Sequence, residues 1–335
     1  MRGIRVAAVH FQVGSLSESN EDMLIENPSW DLKAIEQATG VRSRRLASPE
    51  ECASDLAVKA AEKLFAQSTV QKSQIDALIL CTQTPDYLLP TTACLVQERL
   101  KLPMTAAAFD INLGCSGYVY CLAVASSMLR GGLANKVLIL NADTYSKFIS
   151  RNDRTCRPIF GDGGAATVIE TTDGRDAIGP FDLGTDGRGK ERLIVYGSGT
   201  RDMALNLEGQ PSPINGTTRP LLKMDGAGVL MFTMGTVPKT IEALLKKAGL
   251  TKEHIDLYVF HQASKTVLDN IVRHLDLPDH KVFRGFAEIG NTVSASIPIA
   301  LKQAEQQGRL LPGQRVMLIG FGVGYSWGSC LLTWG

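Results

Sequence analysis

The chain has 335 residues, of which 44% are hydrophobic and 21% charged. This composition is sufficient for a large buried core, excludes a disordered chain and, at roughly 150 residues per domain, predicts two domains' worth of structure. Lys and Arg number 35 against 34 Asp and Glu, a net charge of +1, which excludes a strongly basic nucleic-acid-binding protein and a general attraction to anionic membranes.

Short apolar runs alternate with longer amphipathic stretches along the chain, a pattern typical of an α/β fold. The predicted strands are 5–11, 77–81, 107–111, 136–141, 165–170, 257–260, 315–320 and 329–333. The predicted helices are 50–66, 90–100, 117–130, 229–248, 264–275 and 294–307. Residues 171–219 are rich in Gly, Asp, Pro and Ser and are predicted to form a long connection.

A faint internal repeat suggests that the chain is duplicated. The apolar run 75–81 resembles 255–261, and 136–139 resembles 315–318. Between the members of these pairs, a glycine turn opens a helix in each half. Because strand-forming runs resemble one another by chance, these landmarks alone leave duplication and coincidence both open.

The seven cysteines are an odd number without a C-x-x-C pair, which predicts neither a disulfide framework nor a zinc site. No apolar run approaches the ~18 residues of a membrane span. The N-terminus lacks the long apolar segment and the small-residue cleavage site of a signal peptide. We therefore expect a reduced, cytoplasmic protein without membrane insertion, bound metal or a nucleic-acid partner.

Cys115 is the candidate nucleophile, in a glycine turn between a predicted strand and a helix rich in small residues. A thiol at a helix N-terminus lies at the positive end of the helix dipole and near unpaired N–H groups, which stabilise its thiolate. A buried structural cysteine is the alternative and accounts for most of the other six. None of those six lies between two glycines at a strand-to-helix turn.

Two polar residues in the second half are further candidates. His261 directly follows the predicted strand 257–260, at the end of the strand where ligands bind in open α/β sheets, although a structural histidine is the usual alternative. Asn291, between Gly290 and Thr292, fits a turn residue or a helix cap equally well.

Two glycine clusters have different interpretations. Residues 161–166 fit the dinucleotide pattern G-x-G-x-x-A, but a predicted strand follows them instead of a helix, so we reject that function. The cluster Phe321–Gly328 precedes the last strand. Its backbone can approach a reacting carbonyl closely and donate hydrogen bonds to it from its N–H groups. The alternative is a tight turn without a catalytic role.

Five of these segments together resemble β-ketoacyl-acyl carrier protein synthase III, a condensing enzyme of the thiolase superfamily. They are 110–118, 160–165, 261–263, 290–292 and 321–328, in the order of the family and across most of the chain. The resemblance implies an α/β fold of the thiolase type, duplicated in five α-β-α-β-α layers, and a homodimer.

The same resemblance assigns one half of the site to each half of the chain. Residues 1–172 would form the N-terminal half that carries Cys115. Residues 173–335 would form the connection and the C-terminal half that carries His261 and Asn291. The implied Cys–His–Asn site lies where the halves meet.

The implied mechanism has two steps and needs no cofactor beyond a CoA thioester as substrate. Cys115 would attack an acyl thioester, with acyl-CoA as the expected donor, and form an acyl-enzyme. Malonyl-acyl carrier protein then enters, and His261 and Asn291 hold the enolate left by decarboxylation, which attacks the acyl group. The backbone N–H groups of Cys115 and Val323 form the oxyanion hole, where Val323 replaces a glycine common in the family.

The resemblance implies further contacts with the two substrates. These residues are Trp30, Leu89, Arg154 and Phe321 for the acyl-CoA, and Lys265 and Arg273 for docking the carrier protein. An ordinary surface charge is the alternative for Arg154. The docking arginine usual in the family falls at Thr266, which weakens the assignment of a docking face.

Several alternatives stay open. Hydroxymethylglutaryl-CoA synthases need a glutamate base where this chain has Gln83, so we discount them. A thiolase-fold acyltransferase would move the acyl group from Cys115 without decarboxylation. A papain-like peptidase also uses Cys, His and Asn with His261 146 residues after Cys115, but its flanking pattern is absent. A non-catalytic thiolase-fold partner protein is the remaining alternative. The implied pathway is fatty acid biosynthesis, with a specialised metabolite or a surface polysaccharide left open.

Overall fold

The computed structural model describes residues 2–199, 204–205, 211–212 and 221–335. Most of them belong to two mixed β-sheets and the helices packed between and outside these sheets. The strands are β1 (Gly3–Val13), β2 (Leu16–Ser19), β3 (Ser43–Leu46), β4 (Ala77–Cys81), β5 (Ala107–Ile111), β6 (Lys136–Asp143), β7 (Gly163–Thr172), β8 (Ile178–Thr185), β9 (Leu193–Val195), β10 (Ala204–Leu205), β11 (Pro211–Ser212), β12 (Leu222–Met224), β13 (Leu257–Phe260), β14 (Arg315–Gly322) and β15 (Ser326–Thr333).

The helices follow the predicted pattern closely, and that of residues 117–130 has the predicted bounds. They are α1 (Asn20–Glu26), α2 (Leu32–Thr39), α3 (Ala53–Ala66), α4 (Thr92–Leu100), α5 (Gly117–Arg130), α6 (Gly226–Ala248), α7 (Lys265–Leu275) and α8 (Ser296–Gln306). Within the described ranges, no helix has both the length and the apolar character needed to cross a membrane.

The two large sheets repeat one topology. The first has the order β1-β7-β6-β4-β5, with β4 parallel to both β5 and β6 and the β6–β7 and β7–β1 pairs antiparallel. The second has the order β8-β15-β14-β13 with the same alternation of directions. A parallel bridge between Tyr258 and Val282 stands where the fifth strand would pair. The predicted duplication is confirmed by this equivalence.

Five layers result from the packing of helices on these sheets. α3 and α4 cover the outer face of the first sheet, and α6 covers the outer face of the second with α7 beside it. α5 and α8 each contact strands of both sheets and form the middle layer. Their apolar side chains, such as Leu122 and Ile297, form one core with Ile139 of the first sheet and Leu318 of the second. The predicted α-β-α-β-α fold is confirmed.

One prediction about the connection is wrong. Residues 178–185, inside the segment predicted as a connection, form β8. Gly179, Pro180 and Gly184 gave this segment the composition of a loop. β8 is the edge strand of its sheet, a position that tolerates proline because one side needs no ladder hydrogen bonds. The predicted division after residue 172 falls at the end of β7. Residues 200–203, 206–210 and 213–219 of the predicted connection lie outside the described residues.

Helix starts depend on caps that lie far away in the sequence as well as nearby. The helix predicted from residue 90 begins at Thr92, because the Asp110 carboxylate accepts hydrogen bonds from the backbone N–H groups of Thr92 and Ala93 at 2.7 and 2.8 Å. The helix predicted from residue 50 begins at Ala53, after Asp55 caps the backbone N–H of Cys52.

Gly161 marks a close backbone contact between the halves. Its N–H donates to the carbonyl of Asn291 at 3.0 Å, and an added Cβ would lie only 1.9 Å from the carbonyl oxygen of Ile289. The segment 289–291 of the second half therefore lies directly on the first half.

We expect Gly161→Ala to lower the free energy of unfolding by about 1–3 kcal/mol, because overpacking forces backbone shifts. Urea denaturation provides the measurement. Gly226→Ala is the matched control, since nothing lies within 4 Å of a Cβ at that position in α6. Equal stability of the two variants would contradict the close contact.

Candidate active site

Cys115 lies in the turn between β5 and α5, and its side chain is only 5% exposed. The N–H of Gly117 donates to the carbonyl of Gly114 at 2.8 Å, which closes the turn. The next residue, Ser116, hydrogen-bonds through its hydroxyl to Ser326 of β15 at 2.7 Å. The nucleophile's turn is thus tied to the second half of the chain.

Two glycines of β14 allow the second sheet to approach this turn. A Cβ on Gly320 would lie 2.8 Å from the Cys115 carbonyl oxygen, and a Cβ on Gly322 would lie 2.6 Å from Cys115 Sγ. Gly322 also has φ +156, which disfavours other residues. A side chain at either position would therefore collide with the turn that carries Cys115.

His261 immediately follows β13 and is 2% exposed. Its backbone N–H donates to Ile319 of β14 at 2.7 Å, and its Nδ1 lies 2.7 Å from Ser296 Oγ. Burial lowers the pKa of His261 to about 3, while a hydrogen bond to the backbone of Val293 opposes that shift. The imidazole is therefore neutral at physiological pH.

Asn291 meets His261 with its side-chain amide. Asn291 Nδ2 lies 3.4 Å from His261 Nε2, while its Oδ1 accepts a hydrogen bond from the N–H of Val293 at 2.9 Å. Its backbone is held by Ile159 and Gly161 of the first half, at 2.8 and 3.0 Å. The structure therefore brings the predicted His and Asn together at the interface between the halves.

The electrostatics of Cys115 differ from the expectation of a stabilised thiolate. Burial raises the pKa of Cys115 to about 12, and the backbone N–H groups of Val323 and of Cys115 itself oppose the shift without cancelling it. The free thiol is protonated at neutral pH because its desolvation outweighs the helix N-terminus. The same two N–H groups are those predicted to form the oxyanion hole.

An apolar cluster surrounds the thiol. Among its members are Tyr145 and Phe160 from the first half, Val293 from the second, and Leu193 and Leu222 from the ribbon of β9 and β12. Its strand β9 lies in the segment 171–219 predicted as a plain connection, so that segment contributes to the site. The cluster is suited to an acyl chain.

Asp143, at the end of β6, links the two halves behind Cys115. Its carboxylate accepts hydrogen bonds from the N–H of Gln83 at 2.8 Å, and from the N–H and hydroxyl of Ser294 at 3.1 and 2.5 Å. It is fully buried, and burial raises its pKa to about 7 against these hydrogen bonds. Sequence analysis missed Asp143, although a carboxylate shortly after the apolar run 137–140 is a usable signal.

The residues predicted to meet CoA lie in two neighbouring loops. Trp30, half-buried, precedes α2, and Arg154 is exposed. Asn27, in the same turn as Trp30, donates through Nδ2 to the carbonyl of Arg151, in the same loop as Arg154, at 3.2 Å. The loops therefore contact each other, although no contact joins Trp30 to Arg154 directly.

Leu89 and Phe321, both predicted to contact the acyl donor, have opposite environments. Leu89 is 87% exposed in the loop after β4 and contributes nothing to the site of its own chain. Phe321 is buried, and its ring meets the His261 imidazole edge-on at 5.8 Å between centroids. Phe321 therefore packs directly against the His261 imidazole.

Lys265 and Arg273 are exposed on α7, in a groove of about 610 Å³ that Cys115, His261 and Asn291 do not line. Lys265 is paired with Asp269, which also pairs with Arg284. The face predicted to be basic therefore has mixed charge. Among the described residues, no group of three or more His, Cys, Asp or Glu is placed to hold a metal ion.

The five-layer fold and a buried cysteine beside a neutral His–Asn pair define a thiolase-type acyl-transferring enzyme. Residues 109–187 match the family model of 3-oxoacyl-[acyl-carrier-protein (ACP)] synthase III, and residues 245–334 match the model of its C-terminal part. The first range contains Cys115, and the second contains His261 and Asn291.

Individual relatives support the same family assignment. Beta-ketoacyl-[acyl-carrier-protein] synthase III of Clostridium tetani is 32% identical over 338 residues, 99% of this chain and 98% of the relative. A solved 3-oxoacyl-(acyl-carrier-protein) synthase III is 42% identical with a TM-score of 0.93, over 100% of both chains. A solved 3-oxoacyl-(acyl-carrier protein) synthase from Burkholderia xenovorans LB400 is 36% identical with a TM-score of 0.91, over 100% of this chain and 95% of the other. The chain belongs to the β-ketoacyl-[acyl-carrier-protein] synthase III family, which removes the peptidase and non-catalytic alternatives.

The buried Asp143 predicts a pH dependence of stability. Its native pKa, about 7, lies above the ordinary 3.8, so the native chain binds the extra proton and stability is lost as the pH rises from about 4 to about 7. We expect Asp143→Asn to remove this loss, which amounts to at most about 1.4 kcal/mol per pH unit. Urea denaturation at several pH values measures the difference between the two proteins.

Burial raises the pKa of Asp162 to about 6. Asp162 and His261 titrate in both proteins, so their contributions to the pH dependence of stability cancel in that difference. Parallel stability curves for wild type and Asp143→Asn would contradict the assignment.

Proposed function

We propose that this chain catalyses the decarboxylative Claisen condensation of an acyl thioester, acyl-CoA, with malonyl-acyl carrier protein to give a 3-oxoacyl-acyl carrier protein. The observation that carries the proposal is the convergence of Cys115, from the first half, with the neutral His261 and the Asn291 amide from the second. A nucleophile and two uncharged hydrogen-bond donors are what the two half-reactions require.

In the first half-reaction, Cys115 Sγ attacks the thioester carbonyl and the bond from carbon to the CoA sulfur breaks. Because burial holds the pKa of Cys115 at about 12, the thiol proton leaves during the attack and ends on the departing CoA sulfur. The N–H groups of Cys115 and Val323 would stabilise the developing oxyanion, and loss of one such donor costs roughly 3–4 kcal/mol.

In the second half-reaction, malonyl-acyl carrier protein loses carbon dioxide and its enolate attacks the acyl-Cys carbonyl, which releases the Cys115 thiolate. The enolate oxygen accepts hydrogen bonds from Asn291 Nδ2 and His261 Nε2. Since Ser296 Oγ meets Nδ1, the imidazole can carry its proton on Nε2. A histidine with a pKa of about 3 stays neutral and so donates without becoming charged.

We also propose a homodimer formed at the edge of the first sheet. β5 is an edge strand with an unpaired side, a ready template for pairing with another chain. Exposed apolar side chains lie near it in sequence, with Leu88 67%, Leu89 87% and Met104 98% exposed. In such a dimer, Leu89 would reach the acyl pocket of the partner subunit.

The remaining assignments belong to the same proposal. Trp30 and Arg154 would meet the CoA nucleotide, and Lys265 and Arg273 would meet the acidic carrier protein. The mixed charge around Lys265 makes the carrier interface weaker than a purely basic face, since Asp269 already neutralises one cation. A cytoplasmic location fits the seven cysteines, all of which are free.

The two half-reactions can be separated by substitution. Cys115→Ala removes the nucleophile, so we expect no acyl adduct and no condensation, while carbon dioxide release from malonyl-acyl carrier protein stays measurable. Asn291→Ala keeps the nucleophile, so the adduct forms while decarboxylation falls by roughly 10²–10³. Intact-mass spectrometry measures the adduct and labelled carbon dioxide measures decarboxylation.

Asn135→Ala, at an exposed position remote from the site, is the control for asparagine removal. His261→Ala should also abolish decarboxylation. Wild-type decarboxylation by Asn291→Ala would make Asn291 a turn residue only and would favour the acyltransferase that moves the acyl group without decarboxylation.

Leu89 should set the acyl chain length through the dimer. Because leucine is smaller than phenylalanine, the wild type should accept chains longer than acetyl, and Leu89→Phe should shift the preference towards acetyl-CoA. Adduct formation on Cys115 across a series of acyl-CoAs measures this. Leu133→Phe, 78% exposed elsewhere, is the matched control. An unchanged chain-length profile for Leu89→Phe would overturn the assignment.

A further inference from the structure

Gln83 is a polar side chain that the proposed reaction does not use, although it lies at the end of the strand beside the nucleophile. It follows β4 by two residues, and its backbone N–H is fixed by Asp143 at 2.8 Å. Its side-chain Oε1 accepts a hydrogen bond from the hydroxyl of Tyr145 at 2.6 Å. Both ends of the residue are therefore held in place.

The carboxamide lies directly beside the catalytic turn. A Cβ added to Gly114, the residue before the nucleophile, would lie 2.4 Å from Gln83 Oε1 and 2.8 Å from Val323 Cγ1. Tyr145, which holds the amide, belongs to the apolar cluster that contains Cys115. Gln83 therefore lies at the wall of the space where an acyl group on Cys115 would lie.

The orientation of the amide determines what it offers to a ligand. A glutamine amide has one accepting oxygen and two N–H donors. Tyr145 occupies the oxygen, while the two N–H donors on Nε2 have no acceptor anywhere in the described residues. When substrate displaces water from this wall, a donor left without an acceptor is strongly unfavourable.

We propose that Gln83 selects acyl donors that carry an oxygen, as a hydroxyl or an oxo group, a few carbons from the thioester. This inference rests on the proposed function, because it concerns the acyl group that Cys115 receives. The chain oxygen accepts a hydrogen bond from Gln83 Nε2, and an unsubstituted alkyl chain leaves that donor unpaired.

The malonyl carboxylate is a less suitable partner for the same donor. Decarboxylation removes the negative charge from that group, so a hydrogen bond to it stabilises the ground state more than the transition state and slows the step. The oxygen of a hydroxyl or oxo group on the acyl chain can accept this hydrogen bond throughout the reaction. The hydrogen bond from Gln83 Nε2 therefore favours the acyl donor and not the malonyl substrate.

The test compares 3-hydroxybutyryl-CoA and 4-hydroxybutyryl-CoA with butyryl-CoA, which differs from each by one oxygen. The rate of adduct formation on Cys115 is measured for each at subsaturating concentration. We expect the wild type to prefer at least one hydroxyacyl donor over butyryl-CoA by about tenfold or more. Gln83→Met, of similar shape without the amide, should remove that preference.

Two further variants test whether the oriented Gln83 amide causes the preference for hydroxyacyl donors. Tyr145→Phe frees Gln83 Oε1, so the amide can turn and the preference should fall part of the way. Gln67→Met, at an exposed position at the end of α3, should keep the wild-type preference.

A wild type that uses butyryl-CoA as well as both hydroxyacyl donors would overturn the inference, as would an unchanged preference in Gln83→Met. In either case the adducts themselves would still support the acyl-enzyme. Absence of any adduct from all three donors would instead contradict the proposed function and with it this inference.

Discussion

The arrangement of the site depends on one close approach, between the turn that carries Cys115 and strand β14 of the other half. Gly320 and Gly322 leave no side chain where the β14 backbone passes the Cys115 carbonyl and thiol. His261 takes its position from the same strand through its hydrogen bond to Ile319. The N–H of Val323 follows directly after β14. A single contact between the halves thus positions Cys115, His261 and the Val323 N–H, the proposed nucleophile, enolate donor and oxyanion donor, relative to one another.

The thiol and the imidazole positioned by this contact are both uncharged at neutral pH. Burial keeps Cys115 protonated and His261 neutral, with pKa values of about 12 and about 3. In a desolvated site, fixed N–H donors interact strongly with a developing negative charge because little water competes for them. In the proposed reaction, these donors stabilise the negative charge of the oxyanion and of the enolate. Asp143 holds in place the loops that carry Gln83 and Ser294.

Sequence reasoning predicted the strands at 77–81, 107–111 and 257–260 with their observed bounds, because each is a short, mainly apolar run, interrupted only by Asp110 in the second. It also predicted Cys115, His261 and Asn291 as one site, which the structure brings to the interface between the halves. It missed α1 and α2, although Ser19 and Asp31 cap them through local signals. It could not find the raised pKa of Cys115 or the pairing of Tyr145 with Gln83, since both depend on residues that only the fold brings together.

The central claim is that carbon–carbon bond formation through an acyl-Cys115 intermediate is coupled to loss of carbon dioxide. The most direct measurement follows one turnover of the isolated acyl-enzyme with malonyl-acyl carrier protein labelled in its free carboxyl group. The account predicts one equivalent of labelled carbon dioxide for each 3-oxoacyl product, with loss of the adduct at the same rate. Transfer of the acyl group to an acceptor with the label retained would contradict it.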